Sequence, residues 1–143
     1  MHYIRLYRIG TIRLAPNKVN VNIKLRFGFF RQIPAEVHHT STGRAYYNPM
    51  KDFISMPAKD VFEDTPTSSA TECYYSTLSH ELTHWTGHPD RLDRLEKSRF
   101  GDETYAREEL VAEIGAALLC AHLEISATPR PDHAQYLNGW MKA

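Results

Sequence analysis

The string His80-Glu81-Leu82-Thr83-His84 sets two imidazoles four residues apart, with a carboxylate beside the first. On a helix, residues four apart lie one turn above each other, so both rings can offer a nitrogen to the same ion. Neutral imidazole suits Zn²⁺, and a glutamate on nearly the same face can take a proton from a metal-activated water. The spacing therefore predicts His80 and His84 as metal ligands and Glu81 as general base. The chemistry is metal-assisted hydrolysis.

A catalytic zinc takes three protein ligands and keeps one position for water. The first candidate for the third ligand is Glu109, in the run Glu108-Glu109-Leu-Val-Ala-Glu113. Glu109 and Glu113 share a helix face. One can bind metal while the other accepts the free ring N–H of a ligating histidine and fixes its tautomer; Glu113 is the expected holder. Glu113, Glu108 and Asp90 are the alternative third ligands. Asp90 enters because H-E-x-x-H continues through Gly87 as x-x-G-x-x-D, and His88 is a further possibility that depends on how the helix ends. His88 and Tyr105, together with Tyr74 and His122, are candidate donors to a developing oxyanion. Arg91, Arg94 and Arg99 are placed either to bind a substrate carboxylate or phosphate or to pair with Asp93, Glu96 and Glu103.

These residues need elements to hold them. Ser69-Ala-Thr-Glu72 is a capping box, and Tyr75, Leu78, Leu82 and Trp85 recur at helical spacing after it. Gly87 is expected to end that helix in a left-handed conformation, with Pro89 blocking continuation. A second helix is predicted over residues 104–123, rich in Ala, Leu and Glu. Pro129 and Pro131 separate it from a segment, 132–142, whose Tyr136, Leu137, Trp140 and Met141 can form one helical face. Upstream, residues 44–48 and 52–56 read as a hairpin with its turn at Asn48-Pro49-Met50-Lys51, followed by a polar loop over 57–70. The second of these strands is expected at the sheet edge, where an extended peptide could dock by strand addition. Val19, Val21, Ile23, Leu25 and Phe27 alternate with polar residues, which predicts a strand. With residues 3–14 and a Pro16-Asn17 turn, this makes a basic hairpin.

The 143 residues, 42% hydrophobic and 24% charged, suit one soluble domain with a real core. Two cysteines exclude a disulfide-stapled scaffold. No apolar run approaches the roughly 20 residues of a membrane span, and the first residues lack the pattern of a signal peptide. A reduced, cytoplasmic setting and no membrane partner are expected. Residues 1–35 carry seven basic groups and no acid, while the remainder holds ten basic and 17 acidic groups, a net of −7. A basic arm on an acidic body suggests nucleic-acid contact; a solvated strand face is the alternative.

The longer string Tyr74-Tyr-Ser-Thr-Leu-Ser-His-Glu-Leu-Thr-His-Trp-Thr-Gly-His88, then Arg91-Leu, Phe100-Gly and Tyr105-Ala-Arg-Glu-Glu-Leu-Val-Ala-Glu-Ile-Gly-Ala-Ala116, resembles the zincin-like metallopeptidase domain of ArdC-type antirestriction proteins. Related domains occur in plasmid primase-like and phage polyvalent proteins. The resemblance covers roughly residues 33–142. It implies an α+β fold of gluzincin type: a small antiparallel sheet packed on the H-E-x-x-H helix, and a second helix whose Glu109 completes a zinc site with His80 and His84. The implied function is zinc-dependent cleavage of a peptide or protein substrate. A non-catalytic antirestriction module, binding DNA or protein around a structural or vestigial metal, is the alternative. Residues 1–32 do not resemble the family's larger N-terminal domain. The expected division is a basic leader over 1–32 and a zincin-like domain over 33–143.

Overall fold

The computed structural model describes residues 23–95 and 103–125. In chain order the elements are helix α1 (Ile23–Gln32), strands β1 (Glu36–Thr40), β2 (Tyr46–Asn48) and β3 (Phe53–Pro57), and helices α2 (Ala70–Thr86) and α3 (Glu103–His122). A single 3-10 turn at Lys59–Val61 interrupts the loop before α2.

The hairpin forms as the sequence predicts. Asn48 Oδ1 accepts from the backbone N–H groups of Met50 and Lys51, the local bond that lets Asn start a turn. β2 then runs antiparallel to β3, pairing Tyr46 with Ser55 and Asn48 with Phe53. The sheet around this hairpin differs from expectation in two ways. It is mixed rather than antiparallel, because β1 joins parallel to β3, with Glu36 opposite Phe53 and Thr40 opposite Pro57. The strand order is β1-β3-β2, so β3 lies in the centre and not at the edge. Its composition fits that place: Ile54 and Met56 are fully buried, and Pro57, which cannot donate to a ladder, is its last residue. Any peptide that adds a strand must use β1 or β2.

The alternation that predicts a strand over 19–27 also yields to packing. From Ile23 the chain is helical. Phe30 sets its ring against Tyr75 of α2 at 4.8 Å between centroids. Arg31 in the last turn suits the negative end of the helix dipole. Tertiary contact outweighs the local pattern here. Residues 1–22 and the apolar segment 132–142 lie outside the described residues.

Helix α2 forms the middle layer. Its capping box is complete, the Ser69 hydroxyl accepting from the Glu72 N–H while the Glu72 carboxylate accepts from the Ser69 N–H. One face carries Tyr74, Leu78 and Leu82 into a core shared with Ala45, Tyr47, Ile54, Met56 and Phe62. The opposite face lies under α3, whose Ala106, Ala112, Ala116 and Cys120 are buried. A helix enclosed on two sides must satisfy its polar side chains internally. Thr77, Ser79 and Thr83 do so by donating to carbonyls one turn back, at 2.8–2.9 Å.

Gly87 caps α2, but in a right-handed conformation (φ −80°) rather than the left-handed one expected. Space is what demands glycine. A β-carbon here would lie 3.0 Å from both Arg94 Nη2 and Leu95 Cγ, because the chain folds back and the N–H groups of Arg94 and Leu95 both donate to the Gly87 carbonyl.

Candidate metal centre

His80 and His84 come off α2 toward α3, and Glu109 comes off α3 to meet them. The two Nε2 atoms lie 3.1 Å apart. Glu109 places one carboxylate oxygen 3.7 Å from His80 Nε2 and the other 3.5 Å from His84 Nε2. All three residues are buried. They are the group of potential metal-holding side chains found among the described residues, with ligand atoms within 4.8 Å of one another.

The outward-facing ring nitrogens explain why the inner ones converge. His80 Nδ1 lies 3.4 Å from Glu113 Oε1, and His84 Nδ1 lies 3.0 Å from Glu108 Oε1. An ionised carboxylate only accepts hydrogen bonds, so each Nδ1 is the donor. Both Nε2 atoms then carry lone pairs, and they face each other and a carboxylate. A divalent cation resolves that arrangement, and two imidazoles with one carboxylate are a donor set such an ion accepts.

Glu81 lies beside this point, almost wholly buried, with the backbone N–H of Tyr47 on β2 donating to its carboxylate. Its Oε2 has no hydrogen-bond partner among the described residues. Burial pushes the Glu81 carboxyl above its usual range, against the pull of His80 and His84. At His80, burial favours the neutral ring, but Glu113, Glu81 and Glu109 outweigh it and the net shift is upward. Glu108 moves the other way: burial raises it, and the hydrogen bonds from His84 and Arg94 carry it below the ordinary carboxylate value.

The other candidates fall elsewhere. Asp90 is solvent-exposed, and its carboxylate faces His88 Nδ1 at 3.6 Å rather than the ligand cluster. His88 also accepts from the Asp90 N–H at 3.1 Å, which ties it to its own turn. Tyr105 is buried near the start of α3. Tyr74 bonds His39 through its hydroxyl at 2.8 Å, and burial raises its pKa to about 12. His122 ends α3 and is exposed. Glu108 and Glu113 lie against the outer ring nitrogens of His84 and His80.

Two arginines pair with partners the sequence did not suggest. Arg91 forms a forked pair with Asp52, donates to Tyr47 Oη at 3.1 Å and to the Trp85 carbonyl at 2.6 Å, and stacks on the Trp85 ring. Arg94 forms a fork on Glu108, with Nε to Oε2 at 2.8 Å and Nη2 to Oε1 at 3.0 Å. Arg99 lies outside the described residues. The side-chain partners Asp52, Tyr47 and Glu108 lie 14 to 44 positions away in sequence, beyond the reach of local spacing rules.

The three-layer packing and this donor set define a class. The chain belongs to the zincin-like metallopeptidase family, whose profile matches residues 27–143. Among solved structures, it is similar to the antirestriction protein ArdC of plasmid R388 in its Mn(II)-bound form, with 36% identity and a TM-score of 0.65 over 96% of this chain and 45% of that one. The metal-free form of ArdC gives 40% identity and a TM-score of 0.61, covering 90% of this chain and 44% of that one. Among curated proteins it is 44% identical over 109 residues to a DNA primase TraC of Escherichia coli, matching 76% of this chain and 10% of TraC. It is 37% identical over 115 residues to protein y4eC of Sinorhizobium fredii, matching 80% of this chain and 35% of y4eC. The chain thus spans less than half the length of these relatives.

Proposed function

We propose that this chain is a zinc-dependent metallopeptidase domain that hydrolyses peptide bonds, in the setting of an antirestriction or polyvalent protein. The observation that carries the reading is the convergence of His80 Nε2, His84 Nε2 and the Glu109 carboxylate, with Glu81 alongside. In this reading His80, His84 and Glu109 hold the ion, and Glu113 and Glu108 orient the two rings. When bound, zinc supplies the Lewis acidity that activates a water and polarises the scissile carbonyl. Glu81 takes the proton of the attacking water and returns it to the departing amine; its raised carboxyl pKa suits a group that both accepts and releases a proton.

Metal content of the purified protein tests the ligand set. One zinc per chain is expected for the wild type, with a clear loss in Glu109→Ala. Retention in that variant would move the third ligand to Glu113. Glu81→Gln should keep the metal and lose peptidase activity; undiminished turnover would refute the role of Glu81.

A second reading is favoured by the kinds of relative the chain has, a DNA primase and an antirestriction protein. Here the domain acts by holding a protein or nucleic acid, the latter through the basic residues 1–35, around a structural metal. Binding that falls steeply with salt and survives Glu81→Gln would support it.

A further inference from the structure

We propose that Arg94 is a positioning residue for the metal centre: it locks Glu108 as the hydrogen-bond acceptor for His84, and Gly87 exists to give it room. The inference rests on the reading of His80, His84 and Glu109 as ligands.

The Arg94 guanidinium is engaged on three sides. Nε and Nη2 form a fork on the two Glu108 oxygens, Nη2 also donates to the Thr83 carbonyl at 2.7 Å, and both Nη atoms lie 3.4 Å from Thr86 Oγ1. The Thr83 carbonyl belongs to the last turn of α2, where carbonyls lack helical partners. Arg94 thus anchors Glu108, on α3, to the end of the helix that carries His84. The same Glu108 oxygen that takes Nη2 takes His84 Nδ1.

Three consequences follow from this geometry. Glu108 is only 11% exposed, so its two oxygens must find their donors within the protein, and the Arg94 fork supplies one to each. With each oxygen taking a guanidinium N–H, Glu108 faces His84 Nδ1 as an acceptor, which turns Nε2 toward Glu109. With both oxygens committed to the fork, Glu108 cannot turn inward to displace Glu109. A lysine could supply the charge but not the planar fork. The fork in turn needs Gly87, where a β-carbon would crowd Arg94 Nη2 at 3.0 Å.

The test is Zn²⁺ affinity of the full chain, measured by competition with a chromophoric chelator, for wild type, Arg94→Gln, Glu108→Gln and the double variant. Thermal unfolding of each metal-free protein is recorded in parallel. Arg94→Gln should bind Zn²⁺ roughly 10–100-fold more weakly, the usual cost of losing a group that orients a ligand. The double variant should be no weaker than Glu108→Gln, because Arg94 acts through Glu108. Arg94→Lys should fall between wild type and Arg94→Gln, and it serves if Arg94→Gln does not fold. Wild-type affinity in both Arg94 variants overturns the proposal, as does full additivity with Glu108→Gln, which would make Arg94 a helix cap and nothing more. A wild type that binds no Zn²⁺ overturns this proposal and the ligand reading together; a wild type that binds while His84→Ala does not leaves the ligand reading standing whatever Arg94 does.

Discussion

Asp52 adopts a positive φ of 50°, a conformation costly for any residue but glycine and eased for Asp and Asn. What holds it there is its carboxylate, which accepts from Tyr47 Oη at 2.7 Å and takes the fork from Arg91. The hydrogen bonds from Arg91 keep the Asp52 carboxyl below its ordinary value of 3.8. A carboxyl depressed in the folded state adds stability above its unfolded value and loses it as pH falls through the folded one. Asp52→Asn should therefore be less stable than wild type at neutral pH, with the gap closing as pH drops below about 4. Urea unfolding midpoints at several pH values check this; a gap independent of pH would refute it. At this scale the gathering of His80, Glu81 and His84 at one place on α2 was legible because one helical turn fixes their spacing, and that of Glu109 with Glu113 by the same rule on α3. The Arg94–Glu108 fork was not, because it joins two helices and an arginine's sequence neighbours do not reveal which acid it reaches.

Between elements, the contact that sets the site is the crossing of α2 and α3. At Gly115 the helices approach so closely that a β-carbon would lie 2.6 Å from Thr83 Cγ2 and 2.9 Å from Thr83 Oγ1. Thr83 cannot swing away freely, since its hydroxyl donates to the Ser79 carbonyl. Gly115→Ala gains roughly 1 kcal/mol of helix propensity, but forcing a methyl into a packed interface costs about 1–3 kcal/mol. The expected result is a net loss of stability and weaker metal binding, because α3 moves off α2 and takes Glu109 with it. Adding Thr83→Ala should restore both, as urea unfolding and Zn²⁺ competition can show; a stabilised Gly115→Ala would contradict the tight crossing. Helices α2 and α3 and the β2–β3 hairpin were readable from caps, periodicity and turn residues. β1 was missed because Glu36-Val-His-His-Thr40 has one apolar residue and an exposed edge position, so it carries no alternation. α1 was misread because Phe30 packs on a residue 45 positions away, Tyr75, which no local window contains.

For the molecule as a whole, an ion held by His80, His84 and Glu109 binds only the folded arrangement. At a free concentration about 100 times its dissociation constant, such an ion adds roughly 2.7 kcal/mol. In a chain of this size that corresponds to a melting temperature higher by roughly 5–10 °C. Chelation should remove that increment in the wild type and leave Glu109→Ala almost unmoved; an equal drop in both would place the metal elsewhere. With ligands from both α2 and α3, as proposed, such an ion would tie together positions 84 and 109 as a covalent bridge does, but reversibly. The strength of that tie is set by supply rather than by sequence. Under that proposal, wherever free metal is scarce the two helices would be joined only by their packing, and where it is abundant they would be clamped, so the lifetime of this chain against proteases would gauge the metal around it.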